Sequence, residues 1–278
     1  MKFSVLIAHY NNANYFKDCF ESLRKQTYQN WEAIILDDGS MEEEKKTVQE
    51  LIKNDSRFKY FENEKNSGVG VTKAKLIELA TGEICGFVDP DDAILPNAIE
   101  SSINNFNQDK KIVLTYSRFM ACNENLQPIK EFSAAKQVPN FDKNFFNFPV
   151  QIAHFVCFRK GIYEQTEKMD TAKKISEDQD LYLKLYENGK VKFINETNYL
   201  YRTHDKGISQ NDNKKKSYEY WAEVIFNAMK RRGLKSINGK KIPETYTNSD
   251  EIFQLLDYQN GWKFRVLKKI KILFQKLQ

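Results

Sequence analysis

The chain has 278 residues, of which 41% are hydrophobic and 13% aromatic, so it can bury the core of one large domain with an appendage. Its net charge of +5 is too small to indicate a nucleic-acid-binding protein, and no apolar run is long enough to span a bilayer. The four cysteines form no CxxC pair, which predicts buried, reduced thiols in a cytoplasmic protein.

In the first third of the chain, short apolar runs alternate with segments whose apolar residues recur at helical spacing. We predict strands over residues 3–8, 31–36, 58–62 and 83–88, and helices over residues 15–26, 42–54 and 71–81. This alternation is typical of a mostly parallel sheet with helices on both faces. The Gly68-x-Gly70 pair lacks the third glycine of a dinucleotide-binding fingerprint.

The fourth predicted strand ends in the acidic stretch Asp89-Pro90-Asp91-Asp92. Carboxylates this close repel one another, and a divalent cation that also binds substrate phosphates would relieve the repulsion. The C-terminal ends of parallel strands are also where such sheets bind ligands. The alternative is a turn that leads into a helix capped by Asp92. The stretch alone leaves both interpretations open.

Two other groups of polar residues have the same setting. Tyr10 and the pair Asp37-Asp38 follow the first and second strands, so we expect them beside the acidic stretch. The pair Glu177-Asp178 opens a helix predicted over residues 181–188. The helix dipole favours carboxylates there, which accounts for Glu177 better than for Asp178.

The middle of the chain is rich in loops and aromatic residues between positions 117 and 150. These aromatic side chains suit either stacking on a sugar ring or filling a thin core. His154, at the start of an apolar run, is interpreted either as a core histidine or as a site residue. We predict further strands over residues 112–116, 154–158 and 191–194, and further helices over residues 99–106 and 217–232.

Residues 262–278 contain no acidic side chain and form an amphipathic pattern. The apolar face holds Trp262, Val266, Ile270, Leu273 and Leu277, and the basic face holds Arg265, Lys268, Lys269 and Lys276. Two interpretations stay open: peripheral contact with an anionic membrane, or packing on the domain with a solvated basic face.

The order and spacing of these segments, from about Phe3 to Ser209, resemble the family 2 nucleotide-sugar glycosyltransferases of the GT-A fold. The motifs that carry the resemblance are Val5-Leu6-Ile7-Ala8-His9-Tyr10-Asn11, Leu36-Asp37-Asp38-Gly39-Ser40, Asn66-x-Gly68 with Lys73, Asp89-x-Asp91, Glu177-Asp178, and Arg202-x-His204 with Gly207-Ile208-Ser209. The resemblance implies an α/β, Rossmann-like GT-A domain with a C-terminal helical extension. Its nucleotide-sugar-binding half would be residues 1–105, its acceptor-binding and catalytic half residues 106–210, and the extension residues 211–278.

The resemblance also implies roles for individual residues. The donor would be held by a set of side chains and one backbone segment: Ala8, Tyr10, Asp38, Lys73, Asp89 and Asp91. Asp91 and His204 would bind Mn²⁺ or Mg²⁺, and Asp178 would be the general base. The remaining candidate site residues are Asp92, Glu177, His154 and Arg202.

The function implied is inverting, metal-dependent transfer of a hexosyl or N-acetylhexosaminyl group from a nucleotide-diphosphate sugar, expected to be UDP-linked. The acceptor would be a hydroxyl of a glycan or lipid-linked molecule, and no nucleic-acid partner is expected. The QxxRW motif of processive synthases is absent, which predicts transfer of one sugar per encounter. The alternatives are a nucleotidyltransferase that makes a nucleotide sugar and an inactive, nucleotide-binding scaffold protein.

Overall fold

A large sheet organises the first part of the chain in the computed structural model, which describes residues 1–173, 175–204 and 214–276. Within those residues the sheet has nine strands: β1 Phe3–His9, β2 Trp31–Asp37, β3 Phe58–Glu62, β4 Ile84–Phe87, β5 Ala93–Ile94, β6 Ile112–Cys122, β7 Pro128–Glu131, β8 His154–Arg159 and β9 Lys190–Arg202. The strand order is β3-β2-β1-β4-β8-β6-β9-β5, and β7 pairs with β6.

The strands β3, β2, β1 and β4 are mutually parallel, which confirms the arrangement predicted for the first third of the chain. Beyond β4 the sheet is mixed, because β8 runs antiparallel to both of its neighbours, β4 and β6. The chain reaches β8 from β6 without a crossover helix, and a connection of that kind suits antiparallel neighbours. The sheet is parallel again where β6 pairs with β9.

Helices cover both faces of the sheet, as predicted. Their bounds are α1 Ala13–Arg24, α2 Glu42–Ile52, α3 Val69–Leu79, α4 Ala98–Gln108, α5 Lys160–Tyr163, α6 Glu177–Tyr186, α7 Lys214–Arg231, α8 Ser249–Leu256 and α9 Trp262–Lys276. Buried side chains of α1, α2 and α4 share one core cluster, whereas those of α3, α6, α7 and α8 share the other. The C-terminal part is therefore helical, with a hairpin of β10 Ser236–Ile237 and β11 Lys240–Lys241 between α7 and α8.

Some element bounds differ from those predicted. Helix α6 begins at Glu177, four residues before the predicted start at 181, because the first-turn carboxylates are themselves helical. Strand β9 pairs with β6 on both sides of the polar stretch 195–198, within which Thr197 lies opposite Arg118, so the strand continues through a stretch that the sequence did not predict as strand. Residues 205–213 lie outside the described residues, as does Leu277; they include Gly207, Ile208, Ser209 and the first half of the polar, basic stretch 211–216, whose second half belongs to α7.

All four cysteines are buried and unpaired, which confirms the prediction of reduced thiols. Among the helices of residues 1–173, 175–204 and 214–276, none has the length and apolar content needed to cross a membrane.

Candidate active site

The acidic stretch lies at the end of β4, with Asp89 and Asp91 partly exposed and Asp92 buried. Both oxygens of Asp92 accept hydrogen bonds from β9: the Tyr199 hydroxyl donates at 2.7 Å and the Arg202 backbone N–H at 2.7 Å. The predicted capping role for Asp92 is wrong, because the next helix, α4, begins at Ala98. Asp92 instead fastens the acidic stretch to β9 and leaves the other two carboxylates accessible.

Arg202 also holds the acidic stretch in place, through its side chain. Its buried guanidinium donates to the Asp91 carbonyl at 2.5 Å and forms an ion pair with Asp18 at 2.7 Å. It also donates to the Glu124 carbonyl and lies over the Tyr15 ring, 4.6 Å from the centroid. Because these partners occupy its polar groups, Arg202 positions the acidic stretch rather than presenting a free cation.

Asp91 and His204 are brought together as candidate metal ligands. His204 Nε2 lies 2.8 Å from Asp91 Oδ2, while its buried Nδ1 has no hydrogen-bond partner among the described residues. No group of three or more His, Cys, Asp or Glu side chains placed to share a metal occurs within residues 1–173, 175–204 and 214–276. One carboxylate and one imidazole nonetheless fit a divalent cation, because Mg²⁺ commonly takes its other ligands from water and substrate phosphates.

Lys73, in the first half of α3, faces the start of α6. Its ammonium lies 2.7 Å from Glu177 Oε1 and 5.4 Å from the centroid of the Phe87 ring. Burial alone would lower the pKa of Lys73, but the charges of Glu177, Asp89 and Asp178 outweigh burial and raise it. Burial likewise opposes the charge of Glu177, yet Lys73 holds the pKa of that carboxyl below its ordinary value. The two side chains form a charged pair that joins α3 to the first turn of α6.

Asp178 is the partly exposed member of the Glu177-Asp178 pair. Burial, and then the neighbouring charge of Glu177, raise its pKa, and Lys73 opposes this rise. Asp178 Oδ1 accepts a hydrogen bond from the Gln179 N–H at 2.7 Å, which orients the carboxylate at the first turn of α6. The chain enters this turn through Ser176 at φ 62°, a left-handed conformation that costs a non-glycine residue about 1 kcal/mol or more. The result is an oriented carboxylate that is more basic than usual.

The ends of β1 and β2 carry the other candidate donor-binding residues. Tyr10 is 50% exposed, so its ring is available to a ligand, and Ala8 lies in β1 opposite Leu36. Asp38 is buried and accepts hydrogen bonds from the backbone N–H groups of Ser67 and Gly68, each at 2.9 Å. Asp38 therefore shapes the loop that precedes α3.

His9, whose role the sequence left open, is fully buried. Its Nδ1 lies 2.8 Å from Asp37 Oδ2, and its ring packs against Phe16 with 6.1 Å between centroids. Asp37 also accepts hydrogen bonds from the backbone of Gly39 and Ser40. The His9–Asp37 pair thus fixes the turn that carries Asp38.

His154 belongs to an aromatic cluster below the acidic stretch. Its ring stacks on Tyr199 with 4.7 Å between centroids and meets the edge of Phe119 at 4.8 Å. Burial, with the nearby charge of Lys73, lowers the pKa of His154 to about 4. A neutral, stacked imidazole agrees with the core-histidine interpretation.

Tyr199 and Asn147 support the site but were not singled out in the sequence. The Tyr199 hydroxyl donates to Asp92 and accepts from the Asp89 backbone N–H at 3.2 Å. Asn147 is buried at φ 53°, and its side-chain amide donates to Gln179 Oε1 at 2.7 Å and to the Ile152 carbonyl at 2.9 Å. An aromatic residue within a half-buried strand carries no signal of such a role, but an asparagine in a proline-rich loop is a known sign of left-handed backbone.

Comparison with solved structures shows which fold this is. The crystal structure of S. aureus TarS residues 1–349 in complex with UDP-GlcNAc superposes with a TM-score of 0.69 at 18% identity, over 92% of this chain and 70% of that one. The mixed sheet, its flanking helices and the helical C-terminal part match, so the fold is of the GT-A type that the sequence predicted.

Residues 4–166, more than half of the chain, match the model of the family described as Glycosyl transferase family 2, and the chain belongs to that family. The chondroitin synthase of Pasteurella multocida (strain Pm70) is 27% identical over 98% of this chain, but the chain spans only 28% of that protein. The putative teichuronic acid biosynthesis glycosyltransferase TuaG of Bacillus subtilis (strain 168) is 27% identical over 80% of this chain and 87% of that protein.

Proposed function

We propose that this protein is an inverting, metal-dependent, non-processive glycosyltransferase. It moves a sugar from a nucleotide-diphosphate sugar, UDP-linked, to a hydroxyl of a glycan or lipid-linked acceptor. The observation that carries the proposal is the position of Asp178. The charge of Lys73 acts on Asp178, on Glu177 and on Asp89 of the acidic stretch. The candidate base and the candidate diphosphate site are therefore electrostatically coupled.

Donor binding is assigned to the half formed by residues 1–105. The exposed ring of Tyr10 supplies a flat surface for the base, and the backbone of Ala8 lies beside it. Asp38 holds the loop that borders this surface by accepting from the Ser67 and Gly68 N–H groups, and it also accepts from the Asn63 amide at 2.8 Å. One lone pair of its Oδ2 is therefore left for the base. Asp89 is partly exposed and would accept from ribose hydroxyls. Fixing the base and ribose in this way positions the anomeric carbon.

The metal site is assigned to Asp91 and His204, which would hold Mn²⁺ or Mg²⁺. When bound, the cation would act as a Lewis acid that neutralises charge on the departing diphosphate. The Lys73 ammonium forms an ion pair with Glu177 at 2.7 Å, so it contributes positive charge near the site from that position. The protein's own part is to orient the ligands, which Arg202 and Asp92 do by holding the backbone of the acidic stretch.

The half formed by residues 106–210 supplies the base and binds the acceptor. Asp178 takes the proton from the acceptor hydroxyl as that oxygen attacks the anomeric carbon. The bond from that carbon to the diphosphate oxygen breaks at the same time, and the nucleoside diphosphate leaves with the electron pair. Because attack comes from the face opposite the leaving group, an α-linked donor gives a β-linked product.

The choice of UDP over other nucleotides is supported by the TarS structure, whose bound ligand is UDP-GlcNAc. That ligand, and relatives named chondroitin and hyaluronan synthase, support a hexosyl or N-acetylhexosaminyl donor. The absence of a QxxRW motif from the sequence supports transfer of single sugars.

The test begins with thermal-shift screening of UDP, GDP and dTDP sugars with Mn²⁺ or Mg²⁺, followed by transfer assays with the stabilising donor and a panel of glycan acceptors. NMR of the product should show inverted anomeric configuration. Retained configuration would overturn the inverting mechanism. Release of pyrophosphate from UTP and a sugar phosphate would instead identify a nucleotidyltransferase.

A further inference from the structure

Helix α9 is attached to the rest of the protein along one side only. The Gln275 side-chain amide donates to the Asn140 carbonyl at 2.7 Å and accepts from its N–H at 2.9 Å. One turn earlier, Lys271 forms an ion pair with Asp142 at 2.9 Å. These contacts seat the helix on the loop that precedes β8.

Lys268 completes this attached side. Its ammonium donates to Gln151 Oε1 and lies 5.9 Å from the centroid of the Phe145 ring. Burial lowers the pKa of Lys268 to about 8. Phe264, whose ring centroid lies 5.2 Å from that of Tyr258, is on the same side of the helix. The attached side is therefore mixed, with Lys268 and Gln275 packed on the domain beside apolar residues.

The opposite side of α9 exposes large apolar side chains along its whole length. Their exposed fractions are Trp262 71%, Val266 46%, Leu267 64%, Ile270 45%, Leu273 60% and Phe274 63%. This set, the apolar strip, accounts for half of the exposed large hydrophobic residues in the described part of the chain. Contiguous exposed apolar surface of this kind marks a binding site, because leaving it in water has no compensating gain.

The charged residues of α9 indicate which kind of partner the apolar strip binds. An exposed cation, Lys263, lies within the strip near its start, and two more, Arg265 and Lys269, lie along one edge of it; residues 262–278 contain no acidic side chain. Apolar residues bordered by cations on a single helix match the interface of an anionic bilayer, where the apolar side enters the acyl boundary and the cations meet lipid phosphates.

We propose that α9 docks this protein on the surface of an anionic membrane through the apolar strip. The helix lies in the plane of the membrane, and its attached side holds the GT-A domain above it. The docking requires neither donor nor catalysis. Its consequence for the acceptor does rest on the proposed function: the loop that α9 contacts at Asn140 also holds Gln179, the neighbour of Asp178, so docking would bring the protein to the surface that displays a lipid-linked acceptor.

The experiment is sedimentation of the full chain with vesicles of phosphatidylcholine alone or mixed with phosphatidylglycerol. We expect binding to the anionic vesicles, weakened by salt, and a blue shift of tryptophan fluorescence on binding that is lost in Trp262→Phe. Ile270→Glu should lower partitioning about tenfold or more, because an apolar side chain leaves the interface. Lys269→Glu should lower it roughly fivefold or more, because a favourable charge becomes an unfavourable one.

The matched control is Ile129→Glu, which places the same change at an isoleucine of β7 that is 66% exposed. This control should bind vesicles like the unmodified chain, and circular dichroism should show that both variants are folded. The proposal is overturned if the chain does not sediment with anionic vesicles, or if the Ile270→Glu and Ile129→Glu variants bind these vesicles equally well. A dimer that Ile270→Glu dissociates, in a chain that does not bind vesicles, would assign the strip to a second copy. Sugar transfer in solution is measured separately, so loss of either property is recognised on its own.

Discussion

The ammonium of Lys73 lies 2.7 Å from the carboxylate of Glu177 and joins α3 to the first turn of α6 across 104 residues of sequence. The pair is nearly buried, with 14% and 7% of its side chains exposed. The positive charge of Lys73 also acts on Asp178, where it opposes the rise in the pKa of that carboxyl.

Lys73→Met should therefore move the acidic limb of the kcat/KM profile to higher pH. In the proposed mechanism Asp178 must be ionised to accept a proton, and removing the Lys73 cation raises the pKa of Asp178 further, so a higher pH is needed to ionise it. We expect a rate loss of roughly tenfold on the acidic limb and a smaller loss at alkaline pH. Lys73→Arg keeps the charge and should keep the limb near its original position. Identical limbs in all three proteins would contradict the coupling.

Asp178→Asn should abolish transfer without weakening the donor complex. The amide cannot accept the hydroxyl proton, and the loss of a general base lowers kcat about a thousandfold. Calorimetric titration with UDP should give the same affinity as the unmodified chain. Asp250→Asn, at an exposed position in the first turn of α8, is the control for a change from carboxylate to amide. Activity within about tenfold of normal in the Asp178 variant would exclude this residue as the base.

Asp91→Ala and His204→Ala should each remove the dependence of UDP affinity on Mn²⁺. The two side chains are 2.8 Å apart, so loss of either leaves a single protein ligand. We expect the gain in affinity that the metal provides to fall about tenfold or more. Titrations with and without Mn²⁺ on the same preparation supply the internal control. A metal effect that survives both substitutions would place the ion elsewhere.

Tyr199→Phe should lower both stability and donor affinity. Removing the hydroxyl leaves Asp92 without one donor and the Asp89 N–H without its acceptor, which costs about 1–3 kcal/mol in the free energy of unfolding. UDP should bind more weakly because the acidic stretch loses a tether. Tyr163→Phe is the matched control, since that buried hydroxyl accepts from the Met169 N–H at 3.3 Å away from the acidic stretch. Urea unfolding and calorimetry separate the two effects: the control should lose stability alone.

Gly39→Ala should be more damaging than Gly68→Ala, although both glycines have left-handed φ angles of 80° and 88°. A Cβ at Gly39 would lie 2.6 Å from the Asn66 backbone nitrogen, whereas one at Gly68 meets nothing within 4 Å. Both variants incur about 1–3 kcal/mol of backbone strain, and Gly39→Ala adds the cost of moving the loop that Asp38 holds. Equal unfolding midpoints in urea would contradict this account.

Local pattern predicted most of the first half of the fold. The runs around Phe3, Trp31 and Ile84 are strands because their apolar residues are contiguous and bounded by polar turns, and this information lies within a few residues. The mixed order of the later strands depends on which strand lies beside which, and that choice is not encoded in any single segment.

Local sequence also pointed to part of the candidate site. Asp89, Asp91 and Asp178 stand out because carboxylates are crowded at the ends of elements. The hydrogen bond from Tyr199 to Asp92 could not be predicted, because the two residues are 107 positions apart in the sequence. Periodicity also divided α9 into two faces, but only the packing of Lys268 shows which face meets the solvent.

Arg202 has a consequence for how the protein is made. The hydrogen-bond donors that hold Asp92 and the Asp91 carbonyl come from a residue 110 positions later in the chain than Asp92. A ribosome releases the acidic stretch long before it releases β9, so residues 89–92 emerge without these hydrogen bonds. The acidic stretch is completed only when residue 202 arrives, so the first third of the chain and β9 depend on each other for the native arrangement of this loop.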